Sequence, residues 1–213
     1  FFFLVVISIY SIFLYFWYDS FMKTVLFVPG FKENKQSRNY DATMKAIESC
    51  GYKVKFVPIS WKRTTIVDWI DELDKVYRNF DSVQTILAGF SYGAMTAFMA
   101  ATKRNPSELW LFSLSPYFAE DLKSKNMRDT WLKGIGKHRV VDFSALSFES
   151  LAKSVNCKTL LFAGQLEIDK WPVIGERAKD AHSLLRNNKL VIIPEVGHDV
   201  ADLKYIEAIS GNI

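Results

Sequence analysis

Gly89-Phe90-Ser91-Tyr92-Gly93 stands between the apolar run of Val83, Thr85, Ile86, Leu87 and Ala88 and the small-residue stretch from Ala94 to Lys103. The first flank reads as a buried strand and the second as a helix, so the pentapeptide is a sharp strand-to-helix turn with a serine at its apex. Such a turn lifts the hydroxyl clear of the sheet. The two glycines flank it because side chains there would collide with the adjoining strand and helix. The pattern G-x-S-x-G alone recurs by chance, and its plainer reading is a glycine-rich connection with an incidental serine.

Outward from the turn, the chain alternates strands and helices. Val25 to Val28, Lys53 to Ile59, Val83 to Ala88, Glu108 to Ser113, Thr159 to Ala163 and Lys189 to Ile193 are the predicted strands. Ser37 to Ser49 carries Tyr40, Met44 and Ile47 at helical spacing before the stop signal Cys50-Gly51, and Thr65 to Phe80 places Ile66, Ile70, Leu73 and Tyr77 on one helical face. Further helices are expected over Pro172 to Arg186 and Asp199 to Ile209. Short apolar runs separated by amphipathic helices predict an α/β fold, a mostly parallel sheet covered on both faces. Ligands of such sheets bind at the carboxyl ends of the strands.

A serine hydroxyl is a weak nucleophile until a base takes its proton and an acid orients that base. Two strand-end segments downstream offer these groups: Gly164-Gln165-Leu166-Glu167-Ile168-Asp169 and Pro194-Glu195-Val196-Gly197-His198-Asp199. The two other histidines fit less well, since His182 falls in the helical stretch after Pro172 and His138 in a charged segment with no strand before it.

The serine turn resembles the nucleophile elbow of the α/β-hydrolase superfamily, and the resemblance extends from about Lys23 to the C-terminus. It implies the chain order serine, acid, histidine. The family's strand-end pattern, a glycine followed three residues later by an acid, selects Glu167, with Asp169 as the alternative. Its Gly-His loop selects His198. Thr24 to Val28 ends in Pro29-Gly30-Phe31, which resembles the family's His-Gly-x oxyanion loop. The backbone N–H groups of Phe31 and Tyr92 would then hold the oxyanion. Pro29 departs from the common histidine, leaving the backbone donor but removing a side chain that often braces the loop.

The resemblance implies a compact serine hydrolase that cleaves a carboxylic ester or related acyl bond of a small molecule through an acyl-enzyme, with no cofactor. Thioester and amide or peptide cleavage on the same triad are alternatives, as is a ligand-binding protein of this fold without turnover. Between Pro116 and Ser154 the alternation lapses, and Tyr117, Phe118, Trp131, Phe143 and Phe148 stand among many charges. A lid over about 117–154 is one reading. Two surface helices without substrate contact are the other.

A length of 213 residues fits a single hydrolase domain over 22–213, with no linker or repeat. Residues 1–21 form an apolar N-terminal segment, in which Phe1 to Tyr18 is broken only by Ser8 and Ser11. It reads as an upstream extension ahead of Met22, as a membrane anchor just long enough to cross a bilayer, or as an added packed helix. A net charge of +4 is too mild to imply nucleic acid. Membrane contact is expected only through residues 1–18. Local positive charge at Lys123, Lys125, Arg128, Lys133, Lys137 and Arg139 would favour anionic substrates if it borders the pocket. Cys50 and Cys157 lack His or Cys neighbours at ligand spacing, so no metal site is indicated, and a reducing cytoplasm is the expected location.

Overall fold

The computed structural model describes residues 22–37, 40–123 and 129–213, so the apolar segment 1–21 and the expectations attached to it lie outside the described residues. Among the described residues no helix is long and apolar enough to cross a membrane. The strands are β1 (Thr24–Val28), β2 (Lys53–Phe56), β3 (Thr85–Phe90), β4 (Glu108–Phe112), β5 (Lys158–Gly164) and β6 (Asn188–Ile193). They form one sheet in the order β2-β1-β3-β4-β5-β6, with every neighbouring pair parallel.

Alternate residues of the central strands feed two separate cores, as the pleat requires. Val25, Phe27, Ile86, Ala88, Trp110 and Phe112 face α1 (Tyr40–Ser49) and α10 (Leu203–Ser210), which contribute Tyr40, Met44, Ile47, Tyr205 and Ile209. Leu26, Val28, Leu87, Leu109 and Leu111 face α2 (Ile66–Tyr77) and the wholly buried α3 (Tyr92–Ala101). The expected parallel sheet with helices on both faces is therefore present. After β2 the chain crosses back over β1 to lay down β3, and later strands continue in that direction. The topological switch point lies between β1 and β3, at whose carboxyl ends Phe31 and Ser91 follow. This is where an open α/β sheet leaves a crevice.

Boundaries differ from the sequence reading where local bonds intervene. β2 stops at Phe56, two residues before Pro58, which has no amide to give a ladder. The strand expected from Val83 begins at Thr85, because the Asp81 carboxylate accepts from the Val83 amide and caps a 3-10 turn over Ser82–Gln84. The last helix starts at Leu203, capped by Asp202 through the Lys204 amide, instead of at Asp199.

The segment from Pro116 to Ser154 forms α4 (Ala119–Leu122), α5 (Asp129–Ile135), α6 (Lys137–Ser144) and α7 (Phe148–Ala152). Tyr117, Phe118, Phe143 and Phe148 are buried against the α2–α3 side of the core. Arg177, on α9 (Pro172–Leu184), pins the segment down. Its Nε donates to both Asp121 carboxylate oxygens at 3.0 Å and its Nη2 to Oδ1 at 2.5 Å, while its guanidinium lies 4.5 Å from the Phe148 ring centroid. Burial pushes the Asp121 carboxyl above its ordinary range despite Arg177. Replacing Asp121 by Ala strands a buried guanidinium and should cost about 3–5 kcal/mol in denaturant unfolding. A loss under about 1 kcal/mol, the scale of an ordinary surface substitution, would show that the pair does not hold the segment.

Candidate active site

Ser91 sits between β3 and α3 with φ 56° and ψ −117°, a costly conformation for a residue with a side chain. It is held there from both sides. The Ser91 amide donates to the Phe112 carbonyl at 2.9 Å, and a Cβ on Gly89 would overlap the Gly93 carbonyl. A Cβ on Gly93 would strike the carbonyls of Val28 and Pro29, so only glycine lets β1 approach the turn this closely. Side chains at these two positions would collide with their surroundings, as expected from the sequence. The Ser91 hydroxyl lies 3.3 Å from that of Ser115, a neighbour that sequence reasoning did not single out.

The two expected oxyanion donors are neighbours in space. Tyr92 is the first residue of α3, and its amide is among those a helix leaves without an intrahelical acceptor, at the positive end of the helix dipole. The Phe31 ring stacks on the Tyr92 ring with centroids 4.8 Å apart, which places the two segments side by side. The brace that Pro29 does not supply comes from elsewhere in the chain. The Gly30 amide donates to the Tyr40 hydroxyl at 3.0 Å, and that hydroxyl in turn donates to the Glu33 carboxylate.

The expected acid and the expected base, Glu167 after β5 and His198 after β6, meet in space. Glu167 lies in the first turn of α8 (Gln165–Lys170), only 1% exposed, and the Leu166 amide donates to the Val196 carbonyl at 2.9 Å, tying the acid's helix to the histidine's loop. His198 Nδ1 stands 2.6 Å from Glu167 Oε2. The imidazole, its side chain 22% exposed, has its centroid 4.6 Å from that of Phe90, the residue before Ser91, and meets Trp171 edge-on at 6.1 Å. Asp169 is exposed and accepts from Gln165 Nε2 at 2.7 Å, within α8. His182 bonds Asn188 at 2.6 Å, and His138 is exposed on α6.

Proton counting fixes the sense of the hydrogen bonds around Glu167. Its Oε1 lies 2.7 Å from Ser113 Oγ and 2.8 Å from the Gly164 amide nitrogen. An ionised carboxylate only accepts, so Ser113 gives it its single proton. The single proton of the Tyr205 hydroxyl then has two acceptors, Ser113 Oγ at 3.1 Å and the Phe162 carbonyl at 3.3 Å. Burial, with the Glu167 charge second, pushes the Tyr205 phenol well above its ordinary range and keeps that proton in place. Together with His198, these donors satisfy both oxygens of a charge withdrawn from water. Ser113, with φ 51°, and Tyr205 gave no sequence signal beyond a strand-end serine and an apolar helix position. Among the described residues no group of three or more His, Cys, Asp or Glu is placed to hold a metal ion.

The order of the parallel strands and the helices on both faces of the sheet are those of the α/β-hydrolase fold. The chain is similar to Est1E from Butyrivibrio proteoclasticus, with a TM-score of 0.71 and 16% identity over 89% of this chain and 84% of that one. It is also similar to alpha/beta hydrolase domain-containing protein 10 from mouse, with a TM-score of 0.69 and 13% identity over 88% and 86% of the two chains. Carboxylesterase CesB from Bacillus subtilis aligns with a TM-score of 0.62 and 14% identity over 89% and 81%. No family model matches the sequence. No curated protein matches it either.

Proposed function

We propose that this chain is a serine hydrolase that cleaves a carboxylic ester or a related acyl bond of a small molecule through an acyl-enzyme. The observation that carries the reading is the 2.6 Å contact of His198 Nδ1 with the buried carboxylate of Glu167, beside an elbow that holds Ser91 in a strained turn. With Nδ1–H committed to Glu167, the neutral imidazole carries its lone pair on Nε2. Ser91 Oγ bonds to the substrate carbonyl carbon as its proton passes to Nε2. The amides of Phe31 and Tyr92 hold the oxyanion, and the bond to the leaving group breaks as that group takes the proton from His198. Water then repeats the sequence on the acyl-enzyme. The names of the esterases with this fold support the ester reading. A panel of acyl esters of graded chain length, followed by thioesters and aminoacyl amides, tests it: turnover confined to amides or thioesters overturns the ester assignment.

Without the imidazole the serine proton has no acceptor, so removing His198 should remove general-base assistance altogether. His198→Ala should be impaired at every pH. Normal turnover in His198→Ala, with loss in His138→Ala or His182→Ala, would give the base to another residue.

A further inference from the structure

Beside Phe31 lies a groove of about 600 Å³, walled by the loop after β1, the loop before α2 and helix α6. Four of its lining residues are cationic, Lys32, Lys62, Arg63 and Arg139, and one is acidic, Glu33, which accepts a hydrogen bond from the Tyr40 hydroxyl. The walls are cross-linked. The Trp61 indole donates to the Glu33 carbonyl at 3.2 Å, and Arg139 donates to the carbonyls of Thr64, Ile135 and Trp61 at 3.0, 3.0 and 2.8 Å. These three bonds use three of the five guanidinium protons and leave two for a ligand. The same guanidinium lies 4.8 Å from the centroid of the Phe31 ring, and Lys32 Nζ lies 5.1 Å from it. Two of the four cations thus lie against the side chain whose own amide is the proposed oxyanion donor.

The backbone supports a function for these side chains. The non-glycine residues with positive φ among the described residues are Lys32, Arg63, Ser91, Ser113 and Glu195. Ser91 carries the nucleophile, Ser113 bonds the acid and Glu195 lies in the histidine's loop. Lys32 and Arg63, at 62° and 61°, are both in the groove. Both stand in turns, whose left-handed position fixes where each turn presents its cation to the groove.

The geometry points to an ester whose second functional group is an anion, bound in this groove by Lys32, Lys62, Arg63 and Arg139 while the scissile carbonyl faces the Phe31 amide. This rests on the serine-hydrolase reading. The carboxylate or phosphate stands on the acyl chain or on the leaving group, a few bonds from the scissile carbonyl. A cleft lined by one sign of charge concentrates an oppositely charged substrate, and the gain fades as salt rises.

Two matched substrate pairs test this: 4-nitrophenyl hydrogen glutarate against its methyl ester for the acyl side, and 4-acetoxybenzoate against its methyl ester for the leaving group. In one pair the anionic member should have a kcat/KM about tenfold above that of its neutral partner at low salt. High salt should erode that ratio, and Lys62→Glu/Arg63→Glu should bring it to unity or below. Preference for the neutral member in both pairs, or a ratio that survives the double charge reversal, overturns the proposal. NMR titration of the full chain with glutarate and with inorganic phosphate reads the groove without turnover. Shifts confined to Lys32, Lys62, Arg63 and Arg139 support it and rank the two anions; no shifts there overturn it. If Ser91 takes up no fluorophosphonate and no ester is cleaved, the hydrolase reading falls, while the titration still decides the groove.

Discussion

Ser91→Ala should abolish labelling by a fluorophosphonate probe and reduce kcat by on the order of 10⁶, the scale seen when the nucleophile is removed from a well-studied serine protease. The size follows from the chemistry, because without the hydroxyl there is no acyl-enzyme and the remaining groups assist only direct attack by water. The fold should survive. Ser91 is held by its own amide bond to Phe112 and by the close approach of Gly89 and Gly93, none of which involves the hydroxyl. Ser115 provides the internal control, since its hydroxyl is 3.3 Å from that of Ser91 but follows β4 outside the elbow. Ser115→Ala should still be labelled, with the adduct on the peptide that contains Ser91. Undiminished turnover in Ser91→Ala would sink the mechanism, and an adduct on Ser115 would move the nucleophile by one strand.

The features legible in the sequence were those written by local rules. Apolar runs of four to six residues gave all six strands, and the elbow's glycines announced a close approach that the backbone of Val28 and Pro29 makes real. Glu167 and His198, which the structure brings into contact, were singled out by the strand ends they follow together with the family's glycine patterns. What stayed hidden depends on contacts between distant segments. Ser113 and Tyr205 converge on Glu167 from positions 54 and 38 residues away, counting from 113 to 167 and from 167 to 205. Neither residue type is unusual where it stands. The basic run expected around Lys123 to Arg139 contributes only Arg139 to the groove beside Phe31 among the described residues, and Lys32, Lys62 and Arg63 arrive from two earlier loops. Helix α8 escaped notice because its six residues are too few for a period to show.

The choice between the two carboxylates of that short helix yields the second large effect. Both lie within reach of a strand end in sequence, yet the helix turns them to different surroundings. Glu167 is buried and accepts from His198, Ser113 and the Gly164 amide, whereas Asp169 is exposed and bonds only Gln165 among its side-chain hydrogen-bond partners. An orienting acid holds the imidazole in the productive tautomer and stabilises the imidazolium formed in each step. Removing that charge costs on the order of 10⁴ in kcat in the best-characterised triad. Glu167→Gln should show a loss of this scale, because its amide also replaces an acceptor with a donor facing either Nδ1–H or the Ser113 hydroxyl. Asp169→Asn should keep nearly full kcat. Ser113→Ala removes one of the donors that fix Oε1 and should lower kcat by less than Glu167→Gln does. A merely structural role for Ser113 would lower stability and leave kcat and KM of the folded enzyme unchanged. Were Asp169→Asn the crippled variant and Glu167→Gln the active one, the acid's role would pass to Asp169 and the buried network around Glu167 would be packing alone.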